Sequence, residues 1–309
     1  MRNFFAETLA SFFIRDSRLV LLNGDIGNRL FDGLKTIDKQ RVMNCGIAEA
    51  NMCTFAAGLA SQNYLPLVYS ITPFVTTRVL EQIKLDICYH KSPVMIVGTG
   101  SGLAYTELGA THHSLEDINI LKPLPNIRIY TPADPAQIKL ALEDWIEDPA
   151  PAYMRIGKKG EACLERQALC DWFGNGMIFW LRRKAESKTC VVVIGLAAQW
   201  VSEAMASRGL DQPYDVLVLG LVKPIPESFF LKLGESYAKV LIVEENYRLG
   251  GIGETLATGL MTHGLKVSVK IFAAQDNFCS LMGGYKHGLA QVGLGCEEFT
   301  LAIEELLDQ

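Results

Sequence analysis

The sequence predicts an α/β protein: two consecutive three-layer α/β domains with mostly parallel sheets. Three observations carry this. Apolar, strand-like runs alternate with helix-like segments along the whole chain, the pattern of parallel sheets with helices on both faces. The alternation breaks once, at about residues 161–188, and then a second series begins. Finally, 309 residues, 49% of them apolar and 20% charged, suffice for one large or two ordinary cores.

The first series starts with a strand at 18–23 (RLVLLN), ending in the turn Gly24-Asp25. A helix rich in small residues follows at 51–61, then a strand at 65–70. Val79, Ile83 and Ile87 recur at helical spacing and predict a helix over 76–88. PVMIVG (93–98) reads as a buried strand, and 127–130 as another before Pro132-Ala133-Asp134-Pro135. A helix at 136–146 and a strand at 152–156 complete a domain over 1–160. Residues 161–188 mix charges with Trp172, Phe173, Phe179 and Trp180; four aromatics do not suit a disordered linker, so a packed crossover is expected. The second domain, 189–309, has strands at 190–195, 215–220, 240–244 and 267–272, with helices at 198–207, 253–261 and 297–307. No short-period repeat is present.

Composition excludes several classes. A net charge of −5 gives no argument for nucleic acid or an anionic membrane. No apolar run is long enough to span a bilayer, and the acidic residue at Glu7 makes the N-terminus a poor signal peptide. The eight cysteines form no Cys-x-x-Cys pair, which argues against zinc. Most lie in apolar segments and read as thiols of a reducing compartment, so a cytoplasmic protein is expected.

Glu49 is the most informative residue. It lies among small and apolar residues, with no Lys or Arg between Arg41 and Arg78. Such a carboxyl group must find a hydrogen-bond partner or become a neutral acid of raised pKa, as catalytic carboxyls do. A helix-start glutamate is the plainer reading. Ligands in parallel sheets sit beyond the carboxyl ends of the strands, which directs attention to 23–28, 71–77 and 98–116. The last is longer than a connection needs and holds His112-His113 before Glu116-Asp117. Adjacent histidines seldom converge on one metal, so a single histidine acting as proton donor is the better reading. Ser114 to Asp117 also fits a helix start, with Glu116 and Asp117 as caps. Phe74, just after a strand, is either a core aromatic or a plate for a flat heterocycle. Arg155 is either a solvated arginine or a phosphate or carboxylate anchor. Gly24-Asp25-Ile26 with Asn51 superficially matches a Gly-Asp-Gly…Asn diphosphate–magnesium signature, but Ile26 replaces the second glycine, so the chain is expected to lack that site.

Together these residues resemble the carboxyl-terminal half of transketolase, as found in bacterial split transketolases. Gly46-Ile47-Ala48-Glu49-Ala50-Asn51-Met52 resembles its Gly-Ile-Ala-Glu-x-Asn-Met motif, and 74–83 the helix that follows. Residues 109–117 are similar to its Gly-Ala-Thr-His-Gln-x-Leu-Glu-Asp. Glu244-Glu245-Asn246 with Gly250-Gly251-Ile252-Gly253 resembles the Glu-Glu-His…Gly-Gly-Leu-Gly of its third domain. The resemblance implies a pyrimidine-binding domain followed by the transketolase C-terminal domain, acting in carbohydrate metabolism with thiamine diphosphate. It also implies Mg²⁺ held mainly by an N-terminal, diphosphate-binding partner subunit, in an α2β2 heterotetramer. Glu49 would bond the aminopyrimidine ring nitrogen and help generate the thiazolium carbanion that attacks a ketose. Phe74 would stack on the pyrimidine, with Ile47 and Asp25 beside the cofactor. His112, Arg155 and Arg29 would face the sugar or sugar phosphate.

Three positions depart from the family. An acidic residue four positions before the motif histidine is Leu108, a substrate histidine twelve before it is Gly100, and a cofactor-side aromatic is Ile71. They point to ketol transfer with an altered, less hydroxylated substrate. The competing readings are the beta subunit of a 2-oxo-acid dehydrogenase decarboxylase, an enzyme like deoxyxylulose-phosphate synthase, and a non-catalytic partner subunit.

Overall fold

The computed structural model describes residues 1–27, 29–173, 176–184, 186–208, 212–280 and 283–308. The first half supplies strands β1 (Leu19–Asn23), β2 (Val42–Asn44), β3 (Leu65–Ile71), β4 (Met95–Thr99), β5 (Arg128–Tyr130) and β6 (Ala152–Ile156). The second supplies β7 (Ala168–Leu169), β8 (Ile178–Arg182), β9 (Thr189–Ile194), β10 (Asp215–Leu219), β11 (Leu221–Lys223), β12 (Lys239–Tyr247) and β13 (Ser268–Ala274). The first sheet has the order β11-β5-β6-β4-β3-β1-β2, parallel except for β11. The second has the order β13-β12-β9-β10-β8-β7, with β8 and β7 antiparallel.

The main helices are α1 (Arg2–Arg15), α2 (Asp32–Asp38), α3 (Glu49–Ser61), α4 (Leu80–Gln82), α5 (Asp117–Leu121), α6 (Pro135–Glu147), α7 (Ala197–Arg208), α8 (Glu227–Ser236), α9 (Ile252–Thr262), α10 (Tyr285–Gln291) and α11 (Cys296–Asp308). Their ends follow local chemistry. Asp134 caps α6 by accepting from the Gln137 N–H, and Pro135 occupies its first turn, where the missing N–H costs nothing. In α3 the buried Ala56 and Ala60 let the helix lie close against β3. Gly46, at φ +70°, makes the turn that brings the chain into it.

Two expectations change here. The helix expected over 76–88 is a composite of short 3₁₀ turns, the α4 turn and a π-helical stretch over Ile83–Tyr89. The β-branched run Val75-Thr76-Thr77 disfavours a regular α-helix, and the Thr76 hydroxyl donates to the Thr72 carbonyl instead. Residues 161–188 are more than a crossover: β7 and β8 lie inside them and belong to the second sheet. Their aromatics pack, Trp172 edge-on to Trp180 at 5.5 Å and Phe173 edge-on to Phe229 at 5.3 Å.

Leu67, Met95, Tyr130 and Met154 face α1 and α6 in one core. The opposite face of the first sheet, with Met52, Val68, Ile96 and Ile118, shares one continuous core with Trp180, Val192, Phe229 and Leu256 of the second half. Full burial of each such side chain stabilises by about 1.5–3 kcal/mol, so the two sheets are held as one body by packing. The outer face of the second sheet packs on α7 and α11.

Candidate active site

The loops that follow β1, β3, β4 and β6 all leave the same edge of a parallel sheet, where open α/β folds place their ligands. Glu49 opens α3 there. Its carboxylate suits a helix N-terminus, and its Cγ would lie 3.3 Å from any Cβ at Gly24, so the backbone after β1 packs directly over it.

Glu49 is 4% exposed and is not alone: Arg78 Nη1 donates to its Oε2 at 3.0 Å. The same guanidinium lies over the Phe74 ring, its Cζ 3.9 Å from the centroid. Phe74 meets His112 edge-on at 5.3 Å, and His112 meets Tyr105 at 6.1 Å. The Lys158 ammonium sits 4.4 Å over the Tyr105 ring and also bonds Glu107. Glu49, Arg78, Phe74, His112, Tyr105 and Lys158 therefore form one continuous row. Sequence reading singled out Glu49, Phe74 and His112, and the structure brings these three together. It missed Arg78, whose signal was its place four residues after Phe74, and Tyr105 and Lys158, which only the folded loops bring beside His112.

The two histidines divide as their surroundings dictate. His112 is half-buried, and its Nδ1 pairs with the Thr111 hydroxyl at 2.9 Å. His113 turns inward, 3.5 Å from the Thr106 carbonyl, and burial lowers its pKa, keeping it neutral. Glu116 and Asp117 do not cap α5. Glu116 accepts from the Leu115 N–H and the Thr77 hydroxyl; burial, then Asp117, push its pKa up. Asp117 is fully buried and faces Arg155.

Arg155 is the clearest correction. It is 2% exposed, with Nε 3.1 Å from Asp117 Oδ2, Nη1 donating to Asn246 Oδ1 at 2.5 Å, and Nη2 near the Ser114 and Glu245 carbonyls. It is neither a solvated arginine nor an open phosphate anchor, because its charge is consumed in joining the two halves. Around it, Tyr153 donates to Asp117, and Glu245 accepts from the Leu103 N–H and the Tyr285 hydroxyl. Glu245 is fully buried, and burial raises its pKa. The His112 loop is thus held from the second half.

The remaining expected residues are not members of that row. Asp25, at φ +53°, is exposed and exchanges hydrogen bonds with Asn44. Ile47 is 80% exposed at the entrance to α3. Arg29 lines an open cleft of about 710 Å³ with Arg2, Asn3 and Glu7. Among the described residues, no group of three His, Cys, Asp or Glu could hold a metal ion, and no helix is long and apolar enough to cross a membrane.

This arrangement can bind a flat heterocycle. Arg78 already makes the two contacts such a ring would make, stacking on Phe74 while donating N–H to a buried carboxylate.

Residues 1–160 match the model of the transketolase pyrimidine-binding domain. The chain is 29% identical over 307 residues to an apulose-4-phosphate transketolase subunit of Phocaeicola vulgatus, covering 96% of this chain and 94% of that one. It is 29% identical over 261 residues to a 6-deoxy-6-sulfo-D-fructose transketolase subunit of a Clostridium species, covering 83% and 79%. Among solved structures, an inactive beta4 tetramer of a split-gene transketolase superposes with a TM-score of 0.85 at 25% identity, covering 99% and 98%. The Glu49 row thus lies in a chain that belongs to the transketolase family, as the carboxyl-terminal subunit of a split, thiamine-diphosphate-dependent transketolase.

Proposed function

We propose that this chain activates the pyrimidine of thiamine diphosphate through Glu49 and shapes the substrate channel with His112, while a separate N-terminal subunit holds the diphosphate and its Mg²⁺. The observation that carries the reading is the row Glu49–Arg78–Phe74–His112, a buried acid and an aromatic plate at a strand-end cleft beside a histidine. When bound, thiamine diphosphate supplies a nucleophilic carbon and an electron sink for the bond beside a ketose carbonyl.

The roles of this chain's residues follow from their chemistry. Glu49 holds and shares a proton at Oε2 with the pyrimidine ring nitrogen, in a setting shielded from water. Phe74 takes the pyrimidine face, displacing the Arg78 guanidinium. Ile47, exposed at the start of α3, covers the ring's edge, and Asp25 flanks the same mouth. His112, its Nδ1 engaged by Thr111, offers Nε2 to substrate oxygens. With Arg155 committed elsewhere, Arg29, in an open cleft with Arg2, would be the anion contact.

The assembly is an α2β2 heterotetramer with two copies of each chain, and the domains divide near residue 160, the 161–188 segment adding β7 and β8 to the second. Among the described residues no cysteine is joined in a disulfide, which supports a cytoplasmic setting. The substrate is a ketose other than the ordinary pentose phosphates; two relatives named for 6-deoxy-6-sulfo-D-fructose and apulose 4-phosphate support this.

The test is reconstitution with the partner subunit. Glu49→Ala should slow exchange of the cofactor's thiazolium proton by more than about 100-fold; exchange at the wild-type rate would overturn the role of Glu49. Full activity on xylulose 5-phosphate with ribose 5-phosphate would sink the altered substrate, and turnover by this chain alone would sink the need for a partner.

A further inference from the structure

We propose that Tyr105 is a specificity-determining residue of the substrate channel, an aromatic wall beside His112 that favours substrates lacking hydroxyl groups where they pass it. This rests on the two-carbon transfer proposed above and names the part of the chain that would set its selectivity.

Gly100, at φ +72°, carries no side chain, and Tyr105 fills the space above it: a Cβ at position 100 would lie 1.9 Å from Tyr105 Cε2 and 2.3 Å from Cδ2. The two residues are therefore coupled, since a side chain at 100 and the ring in its present place are mutually exclusive. The ring is fixed from its other neighbours as well. His112 abuts it at 6.1 Å, and the Lys158 ammonium lies 4.4 Å over its face while bonding Glu107. Leu108, 45% exposed, adds an apolar side chain to the same loop.

The chemical consequence is asymmetric. A site built to hydrogen-bond a hydroxyl rejects substrates that lack it, because its own polar group is left unpaired. An aromatic wall leaves no such group. It accepts a deoxygenated carbon and disfavours a hydroxylated one, which loses water without replacement; such discrimination reaches about 100-fold at most. The aldehyde that leaves the donor ketose and the aldehyde that accepts the two-carbon unit traverse the same channel in opposite directions, so one wall selects both.

The reconstituted complex tests this with hydroxypyruvate as donor and two acceptors, propanal and D-glyceraldehyde, which differ only by hydroxyls. The wild type should prefer propanal in kcat/KM. Tyr105→Leu, and Tyr105→Val combined with Gly100→His, should shift that ratio toward glyceraldehyde by about tenfold or more. A histidine is among the side chains that tolerate a positive φ, so the double variant is compatible with the backbone. Tyr105→Phe should keep the wild-type ratio, because the ring and not its hydroxyl forms the wall. A ratio unmoved in the leucine and double variants, or moved in the phenylalanine variant, overturns the proposal. Should one variant fail to fold, the other still decides. Absence of any transfer by the wild-type complex overturns the proposed function, whereas transfer with an unmoved ratio overturns only the role of Tyr105.

Discussion

Arg78 is half-exposed while its partner Glu49 is almost wholly buried, and this inequality decides what their ion pair does. A surface pair contributes at most about 1 kcal/mol, but an unpaired buried carboxylate carries a desolvation cost of about 1–3 kcal/mol. Arg78→Ala should therefore destabilise the isolated chain by about 1–2 kcal/mol in chemical denaturation. Arg78→Ala on a Glu49→Gln background should cost much less, since no charge is left unpaired; equal costs would show that stacking on Phe74 matters more than charge. The same geometry makes Arg78 a competitor for the pyrimidine, so calorimetry on the reconstituted Arg78→Ala complex should show thiamine diphosphate binding several-fold tighter. The residue-scale reading from sequence was right to ask where Glu49 finds a partner. The partner lay 29 positions away at the far end of the charge-free stretch, a pairing that local sequence does not display.

At the scale of elements, the loop from Gly98 to Asp117 owes its shape to β12. Glu245 accepts from the Leu103 N–H, and a Cβ at Gly102 would lie 2.1 Å from Glu245 Oε1, so the backbone of the loop rests on a carboxylate from the other sheet. Arg155 and Asp117 complete the contact. Removing one member of a buried pair costs about 3–5 kcal/mol, and Arg155→Met should lower stability by that order in urea unfolding. A loss near that of a surface substitution would mean the contact is dispensable. Neighbouring Glu244 caps α9, accepting from the Ile252 and Gly253 N–H groups, while burial raises its pKa from 4.5 to about 7. A folded-state pKa above the unfolded value means stability is fullest below pH 4.5 and is lost as pH rises through about 7, by on the order of 3 kcal/mol for this group. Glu244→Gln should flatten that slope in thermal melts taken between about pH 5 and 8. The sequence made the apolar strands and the regular helices legible because burial on both faces leaves a continuous run such as LVLLN. It did not reveal β7, β8 or β11, which make the antiparallel pairings that strand–helix alternation does not signal. Arg155 was misassigned for a related reason: a strand-end arginine looks the same whether it meets solvent or a second domain.

As a whole molecule, the chain offers a complete core and an incomplete site. One hydrophobic cluster runs through both sheets, while the row at the strand ends has residues for a ring and a sugar. Ile47, just before α3, and Phe55 on α3 are exposed apolar side chains. Strand β11 has a practical consequence. It leaves the second half, reaches back and closes the β5 edge of the first sheet, with Leu221 opposite Tyr130 and Lys223 opposite Ile129. A fragment cut after residue 160 would keep every residue of the Glu49 row yet bare a sheet edge, and bared edges recruit neighbours. Such a fragment should precipitate or self-associate on gel filtration, and an added peptide spanning β11 should suppress this. The family boundary at residue 160 is thus a poor place to cut the polypeptide: the first sheet borrows its last strand from sequence sixty residues downstream.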